Sequence, residues 1–143
     1  MKKNLLLLLA VIGLVSCKKA PETVSVPFEK LEHYFAIVDV PSPVTRKITD
    51  QAVFDGLFDV GYVMGTQQAP LDFGKEFVIA VMYPPTYEET SITPVSLVKG
   101  KDGLVFTYGE KIGVIESSSS RPCLLLRVDK QYDEPLQVVM VKN

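Results

Sequence analysis

The chain has 143 residues with 15 Lys+Arg against 17 Asp+Glu, one histidine and two cysteines, for a net charge of −2. A mildly acidic chain with both signs mixed along it lacks the clustered Lys and Arg that phosphate backbones demand, so nucleic acid is not an expected partner. Glycines fall singly at turns, without the strand-to-helix glycine cradle of a phosphate or dinucleotide site, so no nucleotide cofactor is implied.

The chain opens on Lys2 and Lys3, continues through eleven uncharged residues from Leu5 to Val15, and then meets Ser16 and Cys17. Charge, apolar run and small residue in that order make a secretory signal. The run is too short for a spanning helix, which needs about 20 apolar residues. Leu14, Val15, Ser16 and Cys17 resemble the lipobox of bacterial lipoproteins. That resemblance implies cleavage after residue 16, a diacylglyceryl thioether on Cys17 and acylation (palmitate) of the new amino terminus. Each buried methylene contributes about 0.8 kcal/mol, so several acyl chains give lasting attachment to a membrane. Cleavage leaves 127 residues and removes two lysines and no acid, so the net charge moves from −2 to −4. Lys18, Lys19 and Ala20 place no acid beside the cysteine, and the expected location is the cell envelope, on the outer membrane facing the periplasm. With Cys17 lipidated, Cys123 is left unpaired; within Pro122-Cys123-Leu124-Leu125-Leu126 it suits core packing.

Residues 17–27 suit a lipidated tether, and residues 28–143 suit one globular domain. Residues 33–40 are rich in aromatic and β-branched types and end at Pro41 and Pro43, which predicts a strand and a turn. Residues 48–60 carry Val53, Phe54, Leu57 and Phe58 at the spacing of one helix face, with Thr49 or Asp50 as cap, which predicts an amphipathic helix packed on a sheet. Residues 75–83 are a near-continuous apolar run between Gly74 and Pro84-Pro85, the pattern of a central strand buried on both faces. Strands are also predicted over 91–99, 104–108, 122–129 and 136–142, with a glycine-flanked hairpin at 99–103 and a polar reversal at 131–135. Ser117 to Ser120 read as a polar loop. Short connections imply antiparallel neighbours. The fold class is α+β: a single domain dominated by antiparallel sheet.

No constellation in the sequence carries catalysis. His33 has no Gly-x-Ser-x-Gly elbow to serve, and one histidine with one spare cysteine cannot build a zinc site of nitrogen and sulfur ligands. Calcium loops are absent too, so no metal is implied. Adjacent acids, Glu88-Glu89 and Asp133-Glu134, suit solvated loops. The segment Tyr83, Pro84, Pro85, Thr86, Tyr87, Glu88, Glu89 and Thr90 stands out, because tyrosine offers rigid contact area and proline lowers the entropy lost on binding. Tyr83, Pro85, Thr86, Tyr87, Glu88 and Glu89 are therefore the candidate partner-binding residues.

From about residue 48 to 141 the chain resembles the C-terminal domain of PrcB, the family of accessory lipoproteins that stabilise a surface protease complex. The resemblance lies in the helix pattern, in Leu71-Asp72-Phe73 leading to Phe77-Val78-Ile79-Ala80-Val81, in Pro85-Thr86 before Tyr87, in Ser91-Ile92, and in Arg121-Pro122 before two apolar strands. It implies a non-catalytic domain that binds another protein, a protease among the partners. The alternatives are a protease inhibitor presenting an exposed loop, told apart by a protruding segment, and a small-ligand carrier or enzyme, which needs a pocket with convergent polar groups.

Overall fold

The computed structural model describes residues 22–65 and 69–142. Its centre is β6 (Glu76–Met82), where β-forming side chains follow one another without a polar break. Phe77, Ile79 and Val81 point to one side and Val78, Ala80 and Met82 to the other, and all six are buried. Side chains alternate along a strand, so a continuous apolar run fills two cores at once. β6 lies between β9 (Cys123–Asp129) and β4 (Val44–Ile48), antiparallel to both, with β2 (Glu29–Lys30) outside β9.

A second four-stranded sheet has the order β1 (Val24–Ser25), β7 (Thr86–Gly100), β8 (Gly103–Ser120), β10 (Leu136–Lys142). Leu97, Leu104, Phe106 and Tyr108 of this sheet meet Phe77, Ile79, Val81, Leu124, Leu126 and Val128 of the first. Each fully buried side chain of this size stabilises the fold by about 1.5–3 kcal/mol. On the other face of β6, Val78, Ala80 and Met82 meet Ile48, Phe54, Phe58 and Leu125. The molecule is thus a mostly-β α+β domain of two packed sheets with a third layer over one of them. That layer holds the short helix and a small sheet of β3 (Tyr34–Ala36) and β5 (Phe58–Val60).

The helix is shorter than its periodicity predicts. α1 spans Gln51–Asp55 only, with Asp50 Oδ1 accepting from Val53 N–H at 3.0 Å. Ile48 instead closes β4 opposite Val78, and Phe58 opens β5 opposite Ala36. Phe54 and Phe58 are both buried in the expected core, but Phe58 reaches it from a strand, and Val53 is half exposed. Five residues make no autonomous helix, so the ladders on either side decide where it ends. The strand predicted over 33–40 is likewise cut to Tyr34–Ala36: His33 sits at φ 65°, and its carbonyl accepts from Gly61 N–H. The fold also begins earlier than residue 28, since β1 pairs with β7 and Val26 is buried between the sheets.

Two further differences concern the second sheet. β7 and β8 run far beyond 91–99 and 104–108, carrying Ser117 to Ser120 into the ladder. The register slips on the way: Thr86 faces Ser120 and Glu88 faces Ile115, so two steps on β7 match five on β8, and the serines take up the slack. β10 is parallel to β8, from Leu136 opposite Leu104 to Lys142 opposite Glu110. The chain leaves β8, crosses to the first sheet as β9, turns through a 3-10 turn at Lys130–Tyr132 and comes back, so it re-enters running the same way.

Gly103 makes this return possible. At φ 119° it occupies a conformation that L side chains rarely adopt, and a Cβ there would stand 2.4 Å from the Pro135 carbonyl oxygen. That oxygen accepts from Leu104 N–H at 2.8 Å. Gly103→Ala is expected to lower unfolding stability by at least about 2 kcal/mol in urea titrations. Gly56→Ala, at the right-handed helix cap with ordinary contact distances, should change it by no more than about 1 kcal/mol, in either direction.

Candidate functional site

The segment singled out in the sequence is a loop only from Tyr83 to Pro85, because β6 ends at Met82 and β7 starts at Thr86. Tyr83 ends the apolar run and is buried in the core between the sheets. Its hydroxyl donates to Glu110 Oε2 at 2.5 Å and its backbone N–H to the Pro122 carbonyl at 2.9 Å. Burial first, and then the bonds to Glu110 and Tyr108, hold its phenol far above the ordinary tyrosine range. Tyr83 therefore anchors the segment and presents no surface of its own.

Past the prolines the chain turns outward. Pro85, Tyr87, Glu88 and Glu89 are exposed and Thr86 is half-buried. Thr86 Oγ1 accepts from Glu88 N–H at 3.0 Å, and Thr90 Oγ1 donates to the Glu88 carbonyl at 3.1 Å. Facing this segment across the ladder, every residue of β8 from 111 to 120 is exposed. The result is a two-stranded ribbon, open to solvent, that emerges from the end of β6 and β9. It carries apolar side chains where water would favour polar ones: Tyr87 is 60% exposed, Ile112 52%, Val114 72% and Ile115 79%. Glu88 faces Ile115 and Thr90 faces Ile112, so these side chains lie within one strand of Tyr87. Glu89 folds over Gly113, where a Cβ would come within 2.6 Å of Glu89 Oε2. The sequence pointed to Tyr87 but not to Ile112, Val114 or Ile115, whose signal was an apolar run in a stretch too rich in glycine and serine to read as a strand.

The remaining chemistry-bearing residues are dispersed. His33 is exposed at the entrance of β3. Cys123 is half-buried with its sulfur 3.9 Å from the Tyr34 carbonyl, and burial pushes its thiol up, as suits a packing residue. Among the described residues, no three of His, Cys, Asp and Glu are placed to hold a metal ion. A cavity of about 290 Å³ has a floor of Phe54 and Phe58 and a rim that includes Asp55 and Asp59. Each carboxylate is already bonded within the protein: Asp55 accepts from Gln51 Nε2 at 2.7 Å, and Asp59 from Val60 N–H at 2.8 Å. Another, of about 320 Å³, holds Arg127. That guanidinium lies 3.4 Å from both Glu29 and Glu76 and donates to the Ala69 carbonyl at 2.8 Å. Its buried Nε faces Glu76 at a distance that makes an ion pair and no well-formed hydrogen bond.

No protein-family model, curated protein or solved structure matches the chain. Among the described residues no helix is long and apolar enough to cross a membrane, and the signal and Cys17 lie outside those residues.

The Tyr83 phenol carries a pH signature. Its raised ionisation means that stability is fully present below the ordinary tyrosine range and falls above about pH 10, where the unfolded chain ionises and the folded one resists. Urea midpoints measured between pH 8 and 11 should decline for the wild type and decline less for Tyr83→Phe. At neutral pH the same change should cost about 1–3 kcal/mol, through loss of the bond to Glu110.

Proposed function

We propose that the chain is a non-catalytic envelope lipoprotein, anchored through lipid on Cys17, whose β-rich domain binds and stabilises another protein. The class of partner is the one implied by the likeness to the PrcB C-terminal domain, a protease complex. The observation that carries the reading is the exposed apolar group of Tyr87, Ile112, Val114 and Ile115 on the β7–β8 ribbon. Exposed apolar side chains gathered on one open ribbon mark an interaction site, and aromatic anchors dominate the energy of such contacts.

Geometry supports that assignment in a second way. Six residues separate Cys17 from β1, a reach of about 25 Å at most. β1 pairs with the end of β7 next to the Gly100–Gly103 turn, where Val24 faces Lys99. The exposed ribbon lies at the opposite end of the same strands, so the attachment leaves it unobstructed.

The alternatives draw less support. An inhibitor offers a protease an extended backbone free of internal pairing, whereas Thr86, Glu88 and Thr90 are paired in the β8 ladder. A ligand carrier needs polar groups aimed into its pocket, whereas Asp55, Asp59 and the Arg127 Nη2, which line the two cavities above, each bond within the protein.

Two experiments test the proposal. Mass spectrometry of the native product should find acyl chains on a terminus that begins at Cys17, and Cys17→Ser should leave the protein unlipidated and uncleaved. Tagged protein recovered from solubilised membranes should bring a stoichiometric partner with it. Tyr87→Ala combined with Ile115→Asp should reduce that recovery at least tenfold without altering the far-UV circular dichroism. Equal recovery with both forms would remove the ribbon from the interface.

A further inference from the structure

The two large sheets have four edges, and three of them are protected in ways that natural sheets use. β1 and β2 are only two residues long, the part of β7 that β1 leaves unpaired is broken by Pro94 and by three register shifts, and β4 carries Arg46 and Lys47 in the middle of a five-residue strand. β10 has none of these devices. Its seven residues keep one register with β8 throughout, include no proline or bulge, and hold a single charge, Lys142, at the last position. Val138, Val139 and Met140 are each about two-fifths exposed. Among the described residues no strand pairs with its outer side.

From this contrast we infer that β10 is a self-association edge, at which a second copy of the chain adds its own β10 antiparallel to form one eight-stranded sheet. The strand is self-complementary about Val139. A two-fold there sets Val138 against Met140, Gln137 against Val141 and Val139 against its own counterpart, so apolar side chains meet on both faces, as an isologous interface requires. The charges agree with the antiparallel sense. The two Lys142 side chains stand at opposite ends, about 20 Å apart along the strand direction. Each falls opposite the other copy's Leu136, beside Asp133 and Glu134, which are ion-paired with Lys47 and Lys99. Parallel pairing in register would place the lysines side by side.

The pairing also covers side chains that the fold leaves bare. Val138 and Met140 stand beside Phe106 and Tyr108 on the core side of the sheet. On the facing sheet the edge strand β4 puts Thr45 and Lys47 opposite Val81 and Ile79, so the apolar layer thins there. A second β10 would bring another Val138 and Met140 alongside and continue that layer. With both copies lipidated at Cys17, a two-fold normal to the joined sheet requires the sheet to lie along the bilayer.

Disulfide trapping on the full chain in its native membranes tests the inference. Val139→Cys sits on the proposed axis, where facing Cα atoms fall at about 4.5–5.5 Å, within reach of a disulfide. Mild oxidation should convert most of it to a species of twice the protomer mass, which wild type should not form, its Cys123 being half-buried and its Cys17 carrying lipid on the reading proposed above. Gln137→Cys alone should fail, its counterpart lying about 14 Å away along the strand, and should succeed when co-expressed with Val141→Cys. Val139→Lys should lower the dimer fraction of the detergent-solubilised protein at least tenfold with an unchanged circular dichroism spectrum. Absence of the Val139→Cys dimer, or its replacement by an adduct with a different protein, would overturn the inference. The outcome is independent of whether the ribbon binds a partner.

Discussion

Everything in this domain depends on one strand having two insides. β6 cannot be exposed on either face without stranding three apolar side chains in water, and so it requires a sheet packed against one side and a helix-and-strand layer against the other. Its neighbours inherit the constraint. β9 supplies Leu124, Leu126 and Val128 to the first core and Leu125 to the second. Removing bulk from β6 would open cavities in two cores at once, on the two sides of the wall that β6 and β9 share.

The ribbon grows out of the same arrangement. β6 and β9 are paired to their ends, Met82 facing Cys123, and the chain continues from both through prolines, Pro84-Pro85 and Pro122. The Tyr83–Glu110 bond ties the base of the ribbon to the core. Beyond that bond the two strands are held chiefly by each other, so contact with anything outside costs no core packing. A rigid root and an exposed, internally bonded extension suit a surface that meets another protein.

How far the sequence revealed this depended on whether local pattern and tertiary pairing agreed. Phe77 to Met82 form an unbroken apolar run that no other element could use, and their burial on both faces was foreseeable. Phe54, Leu57 and Phe58 satisfy a helical spacing, yet a single helical turn followed by a strand brings the same side chains to the same core. Periodicity alone could not separate the two solutions. Gly109 to Ser120 lack alternation and propensity, and they are strand because β7 lies beside them, a fact of pairing that no window of residues contains. The parallel return of β10 was hidden for a related reason: short connections suggest antiparallel neighbours only when consecutive strands stay in one sheet, and β9 does not. Of the candidate residues, Tyr87 was recognisable as an exposed aromatic, while Tyr83 resembled it in sequence and differs only through burial.

The detour through β9 also orders events in time. Leu104 and Leu136 are partners in adjacent strands, but the chain between them must first be placed in the opposite sheet. Joining them closes a long loop whose entropy is repaid only once that sheet exists, so β10 should dock late and the domain should fold slowly for its size. Until it docks, the free side of β8 is an open template, and a newly made chain would pass through a state in which the row from Leu104 to Glu110 is available to any extended neighbour. Gly103, by letting the Pro135 carbonyl approach Leu104, shortens that interval, because it allows the returning segment to catch the hairpin at its turn before the rest of the strand zips into place.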